Sequence, residues 1–216
     1  MLDVGIGTGL SAEPFSAAGC QVLGVEADPR MADFARGRGY DVEVSAFEEW
    51  DPAGRSFDAV ISGQAWHWID PRAGALQAAR VLAPRALLVL FWNSFRLPPE
   101  IVAALSGGGA PVREAVPFRS SSVGVHEDSR DRAEQGIRAT GCFAEPVRWQ
   151  LDRQRRYSRD EWIDGIATGA GAAQLPSDKL EDVRERVGAA IDGIGGSFAM
   201  TISTIVLEAR LLTRSS

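Results

Sequence analysis

Leu2-Asp3-Val4-Gly5-Ile6-Gly7-Thr8-Gly9 opens the chain and sets its architecture. Leu2 to Val4 reads as a stub of strand. The three glycines at every second position read as a turn, because glycine enters positive φ without a steric penalty. Residues 10 to 18 follow as a helix stopped by Gly19. This order lets a ligand approach main-chain N–H groups near a helix N-terminus, and the other reading is a tight turn that binds nothing. The spacing is Gly-x-Gly-x-Gly, and Leu10 stands where a dinucleotide fingerprint wants its third glycine. That argues against NAD and FAD. Glu26 follows a second strand, Gln21 to Val25, where a carboxylate can accept hydrogen bonds from both hydroxyls of a ribose. It points to a nucleoside-bearing ligand, the alternative being an exposed strand-end acid. Met31 either lays its thioether on an adenine face or joins the core.

Short apolar runs continue to alternate with helical stretches, as they do when parallel strands are joined by helices on both faces of a sheet. The expected elements are a helix from Met31 to Arg36, strands at Val42 to Ser45 and Ala59 to Ser62, a helix over 72 to 82 stopped by Pro84, and a buried strand from Ala86 to Trp92. After Asn93 the punctuation changes to Pro98-Pro99, Gly107-Gly108-Gly109 and Ser120-Ser121-Ser122. Residues 94 to 126 therefore read as a lid or cap inserted in a single domain, between a ligand-binding half at 1 to 93 and a C-terminal half at 127 to 216. In that last part the pattern predicts a helix from Asp128 to Thr140, an edge strand from Val147 to Arg156, helices over 159 to 169 and 177 to 192, and a closing strand from Ser197 to Leu211.

Composition excludes several classes. Of 216 residues, 45% are hydrophobic and 24% charged, the make-up of a globular domain. With 23 basic against 29 acidic side chains the net charge is −6, so no global attraction to a phosphate backbone exists and general nucleic-acid binding is not expected. No apolar run reaches the roughly 18 to 20 residues that span a bilayer. Cys20 and Cys142 make neither a zinc site nor a disulfide scaffold, and a cytoplasmic protein is the expectation. No cluster of His, Cys and carboxylates shows metal-ligand spacing, so no metal is implied.

Asp3-Val4-Gly5-Ile6-Gly7-Thr8-Gly9, then Gly24-Val25-Glu26 with Met31, Phe57-Asp58-Ala59-Val60 and Arg80-Val81-Leu82-Ala83-Pro84 together resemble the class I S-adenosylmethionine-dependent methyltransferases, in particular the type 11 domain group. The likeness is good over residues 1 to 93 and loose beyond. It implies a Rossmann-like, doubly wound α/β fold, with a seven-stranded, mostly parallel sheet, an antiparallel C-terminal strand and helices on both faces. It also implies S-adenosyl-L-methionine as cofactor, with Asp3, Gly5 and Gly7 around the methionine part and Glu26 on the ribose, and with Gly9, Ala27, Met31 and Gln64 among the cofactor-binding residues. Relatives carry an acid followed by a small residue after the third strand. Here Ser45-Ala46-Phe47 stands there, so the backbone of Ala46 and Phe47 is expected to hold the adenine, with Glu48 in line to replace the acid. The family also has one or two helices before the first strand, and their lack here suggests a true start upstream.

Ser62-Gly63-Gln64-Ala65-Trp66-His67-Trp68-Ile69-Asp70 follows the fourth strand, where donor and acceptor meet in this fold. Methyl transfer from a sulfonium needs alignment and exclusion of water more than acid–base groups, which aromatic walls supply. Trp66, His67, Trp68 and Asn93 are the candidate substrate-pocket residues. Trp66 and Trp68 either line the pocket or anchor the loop. His67 is the candidate catalytic base toward an oxygen or nitrogen acceptor, or a satisfied structural histidine. The arginines at 148, 153, 155, 156 and 159 read as a solvated edge interleaved with Asp152 and Asp160. The expected function is methyl transfer to a small-molecule acceptor. A tRNA or protein methyltransferase using those arginines, and a non-catalytic relative of the fold, are the alternatives, and the oligomeric state is open.

Overall fold

The computed structural model describes residues 1–106, 122–168 and 176–213. Seven strands form one sheet in the order β3-β2-β1-β4-β5-β7-β6. They are β1 (Leu2–Val4), β2 (Leu23–Glu26), β3 (Asp41–Val44), β4 (Phe57–Gly63), β5 (Leu82–Arg96), β6 (Val147–Ser158) and β7 (Ser197–Arg210). β1 pairs in parallel with β2 and β4, β2 with β3, and β4 with β5. One strand on the C-terminal side runs antiparallel, so the sheet is mixed, as the resemblance implied. The order turns back at β1 and β4, and in open α/β sheets ligands bind beyond the carboxyl ends of strands at such a reversal.

The helices are α1 (Glu13–Ala17), α2 (Pro29–Gly37), α3 (Pro71–Val81), α4 (Pro99–Ser106), α5 (Ser122–Thr140), α6 (Arg159–Thr168) and α7 (Ser177–Gly193). Most boundaries fall within two residues of the pattern. α1 is shorter than the expected 10 to 18, because the backbone leaves Gly9 at φ +81° and a proline occupies the first turn. β5 begins at Leu82 instead of Ala86 and carries Pro84 within it. Arg85 takes φ +68°, and the pairing with β4 shifts register between Phe57 and Ala59, so the proline is accommodated at an irregularity. α5 starts six residues before the expected Asp128. Of the expected lid, residues 107 to 121 lie outside the described residues.

Two compact units share the chain. The first comprises Met1–Trp92, His126–Gln150 and Ile205–Ser216. Alternation along its strands buries opposite faces under different helices. Leu2, Val4, Val60, Leu88, Leu90 and Trp92 pack with Ala75 and Ala78 of α3 and Ala133 and Ile137 of α5. Ile6 and Val42 pack with Ala12 and with Ala32 and Ala35 of α2. The second unit, Asn93–Val125 with Leu151–Thr204, has its own core of Ile101 and Leu105 from α4, Trp162 and Ile166 from α6, Val183, Val187 and Ile191 from α7, and Phe198, Met200 and Ile202 from β7. No helix among the described residues is long and apolar enough to cross a membrane.

Candidate active site

The glycine turn is built as its spacing predicts. Gly5, Gly7 and Gly9 take φ +69°, +55° and +81°, which disfavour any side chain. Two of them also pack tightly. A Cβ on Gly5 would lie 2.3 Å from the Cβ of Ala65, and one on Gly9 would lie 2.5 Å from the Tyr40 ring. Gly7 differs, since its nearest neighbour would be the Gly5 carbonyl oxygen at 3.9 Å. The middle glycine faces open space, so a ligand can come up to its backbone. The Gly7 N–H donates to Glu26 Oε2 at 2.9 Å and the Asp28 N–H to Glu26 Oε1 at 2.9 Å. Glu26 thus ties the turn after β1 to the start of α2, and each carboxylate oxygen retains a further lone pair.

Asp3 lies one residue off the face that buries Leu2 and Val4, and it is fully buried, at 0% exposure. Its Oδ2 accepts from the Ser11 hydroxyl at 2.7 Å, while Oδ1 is buried with no hydrogen-bond partner among the described residues. Burial pushes its pKa up from 3.8 to about 7; the Ser11 hydrogen bond opposes this and the Glu26 charge adds to it. An orphaned buried carboxylate oxygen is uncommon in folded proteins, and a cationic ligand group beside it would satisfy both its charge and its lone pair. Ser11 was not singled out in the sequence. Its signal is the buried acid itself, which requires a donor nearby.

The loops after β3 and β4 meet. Ala46 is exposed, whereas the Phe47 ring is buried and lies 6.4 Å from Trp50 and 6.1 Å from Trp66, centroid to centroid. Glu48 is turned to the β4 side, its Oε1 accepting the Asp70 N–H at 2.9 Å. Asp70 in turn caps α3, accepting from the N–H groups of Arg72 and Ala73. Gln64 sits at φ +59°, a strained value for a non-glycine residue, with its N–H on the Phe91 carbonyl at 2.9 Å. Trp66 is 2% exposed and belongs to the core, where the closely packed Gly74 meets its ring. Trp68 is 83% exposed, with the half-buried His67 ring 5.0 Å away. Ala27 is exposed, and Met31 is 43% exposed on α2, outside the core. Asn93 falls in the second unit, where its Oδ1 accepts from the Thr204 hydroxyl at 2.7 Å. Asp3, Gly5, Gly7, Gly9, Glu26, Gln64 and the loops at 45–50 and 64–70 therefore gather at the carboxyl ends of β1 to β4 within the first unit. Among the described residues no three His, Cys, Asp or Glu side chains come together to hold a metal.

Comparison with known proteins bears on this arrangement. Residues 2–90 match the family model of the methyltransferase domain. These residues carry the sequence pattern of a methyltransferase domain. An uncharacterized methyltransferase of Mycobacterium tuberculosis is 34% identical over 122 residues, covering 54% of this chain and 50% of that protein. A ubiquinone biosynthesis O-methyltransferase of a Bradyrhizobium species is 36% identical over 111 residues, covering 45% and 43%. The chain spans about half the length of the curated relatives it matches. A solved structure from Anaeromyxobacter dehalogenans, described as a type II methyltransferase, superposes with a TM-score of 0.65 at 23% identity, over 99% of this chain and 90% of that one. The likeness of fold to that structure runs well beyond the matched segment. The glycine turn, strand-end Glu26 and buried Asp3 all lie inside the matched segment.

Proposed function

We propose that the chain transfers a methyl group from S-adenosyl-L-methionine to a small-molecule acceptor. The observation that carries this reading is the orphaned Asp3 Oδ1 beside an open Gly7 and the Glu26 carboxylate. When bound, the cofactor would supply an electrophilic methyl on a sulfonium, whose C–S bond breaks as the acceptor bonds to the methyl, with S-adenosylhomocysteine as the leaving group. The chain's own groups match its parts. Asp3 would offer an anion to the amino group of the methionine moiety, the open backbone at Gly7 between Gly5 and Gly9 would admit that moiety, and Glu26 beside Ala27 would hold the ribose. Met31 and the backbone of Ala46 and Phe47 would hold the adenine. Gln64 lines the turn, and His67 stands as the group that takes a proton from the acceptor, with the exposed Trp68 ring beside it.

A small molecule is favoured over RNA because the net charge is −6 and two of the five arginines in the basic cluster are held in ion pairs. Arg148 pairs with Asp131 and Glu134, and Arg159 with Asp160 and Asp192. Two free thiols at Cys20 and Cys142 fit a cytoplasmic protein. The test is calorimetric titration with S-adenosylmethionine, with NADH as the control. Micromolar binding of the first alone is expected, and Gly7→Val should abolish it. No binding, or equal binding of both ligands, would overturn the reading.

A further inference from the structure

The loop from Gln64 to Asp70, which presents His67 and Trp68, is held tightly at the back. A Cβ on Gly74 would lie 2.6 Å from the Ile69 side chain and 3.1 Å from Trp66, so the loop packs against α3 through those two side chains. On the turn side, Ala65 closes against Gly5 and the Gln64 N–H is fixed to Phe91. On the β3 side, two contacts reach the loop. One is the Phe47–Trp66 ring pair at 6.1 Å, and the other is the Asp70 N–H donated to Glu48 Oε1 at 2.9 Å. Asp70 is a junction, because its N–H goes to Glu48 while its carboxylate starts α3.

We infer that Glu48 is a positioning residue that, through the Asp70 N–H, couples the adenine-side loop at 45–50 to the acceptor-side loop at 64–70. Cofactor occupancy and order in the loop bearing His67 and Trp68 are then one equilibrium. This rests on the reading above, since it takes residues 46 and 47 to border the cofactor. Coupling is reciprocal, so a ligand that orders the first loop must order the second, and cutting the link must weaken the ligand. Glu48 is half-exposed and outside the core, so its truncation leaves the fold in place.

The experiment is amide hydrogen exchange by NMR at Trp68, Ile69 and Asp70, with and without S-adenosylhomocysteine, in the parent chain, Glu48→Ala and Glu48→Gln. Calorimetric affinities and melting temperatures accompany it. In the parent the ligand should slow all three amides. In Glu48→Ala, Asp70 should exchange about tenfold faster, affinity should fall roughly three- to tenfold, and the ligand should no longer slow Trp68 and Ile69. Glu48→Gln keeps an oxygen acceptor and should restore both affinity and protection. A merely structural residue would lower the melting temperature and leave ligand-dependent protection intact, and that result would overturn the inference. So would a folded Glu48→Gln protein that has lost the protection. Failure of the parent itself to bind S-adenosylhomocysteine would overturn the methyltransferase reading, and the inference with it.

Discussion

The two units are stabilised in different ways. The second is held by apolar packing, with Trp162 edge-on to both Tyr157 and Phe198 at 5.0 Å and Val183, Val187 and Ile191 fully covered. The first has an apolar core too, yet at the carboxyl ends of its strands it buries an unpaired carboxylate oxygen, turns three glycines and Gln64 to positive φ, and brings loops close enough to exclude a Cβ. Each of these features opposes stability when considered alone. Their concentration around Gly7 and Asp3 supports the cofactor site proposed for this part of the molecule.

That contrast can be tested from both sides. Trp162→Ala should cost the most stability, about 3–5 kcal/mol in urea unfolding, while the folded fraction keeps its S-adenosylmethionine affinity. A comparable loss of affinity at full folding would show that the units are not divided in this way. Asp3→Asn comes next. The folded-state pKa of about 7 lies above the ordinary 3.8, so the folded chain binds a proton that the unfolded chain has already released between those values. The stabilisation from this group is complete below about pH 4 and is lost as pH rises through about 7. Unfolding free energies at pH 4 and pH 8 should show this loss, on the order of 2–4 kcal/mol, and Asp3→Asn should remove that dependence. Cofactor affinity should rise over the same window in the parent, because an ionised Asp3 matches an ammonium, and calorimetry at pH 6 and 8 would show it.

Glu26→Ala should weaken S-adenosylmethionine binding by about 1–3 kcal/mol, since it unpairs the Gly7 and Asp28 N–H groups and removes the acceptor for the ribose. Unchanged affinity would remove the ribose assignment. Smallest is Asp70→Ala, which loses the α3 cap and should lower stability by about 1 kcal/mol, read as a shift in the urea midpoint.

Much of this was legible in the residues. The strand stub, the alternate glycines and the carboxylate at the end of the second strand have local signatures, because positive φ and strand alternation are properties of single positions. The length of α1 and the early start of β5 were not legible, since Arg85 absorbs the irregularity at Pro84 only once β5 lies beside β4. Trp66 and Trp68, two residues apart in one motif, received the same two readings and ended as a core anchor and an exposed ring. A one-turn helix from Trp66 to Trp68 points them differently. Glu48 stood in line for an adenine contact, and the structure joins its Oε1 to Asp70.

The amino-acid pattern alone thus specified the α/β class and the glycine turn, and named the residues proposed to hold a nucleoside-bearing ligand, since these follow from local conformational preference and hydrophobic period. Folding in three dimensions was needed to bury Asp3 against Ser11, to leave Gly7 open while closing Gly5 and Gly9, and to link Glu48 to Asp70. Those outcomes depend on distances between residues eight to sixty positions apart, and burial, which sets the charge state of Asp3, has no counterpart in the linear chain.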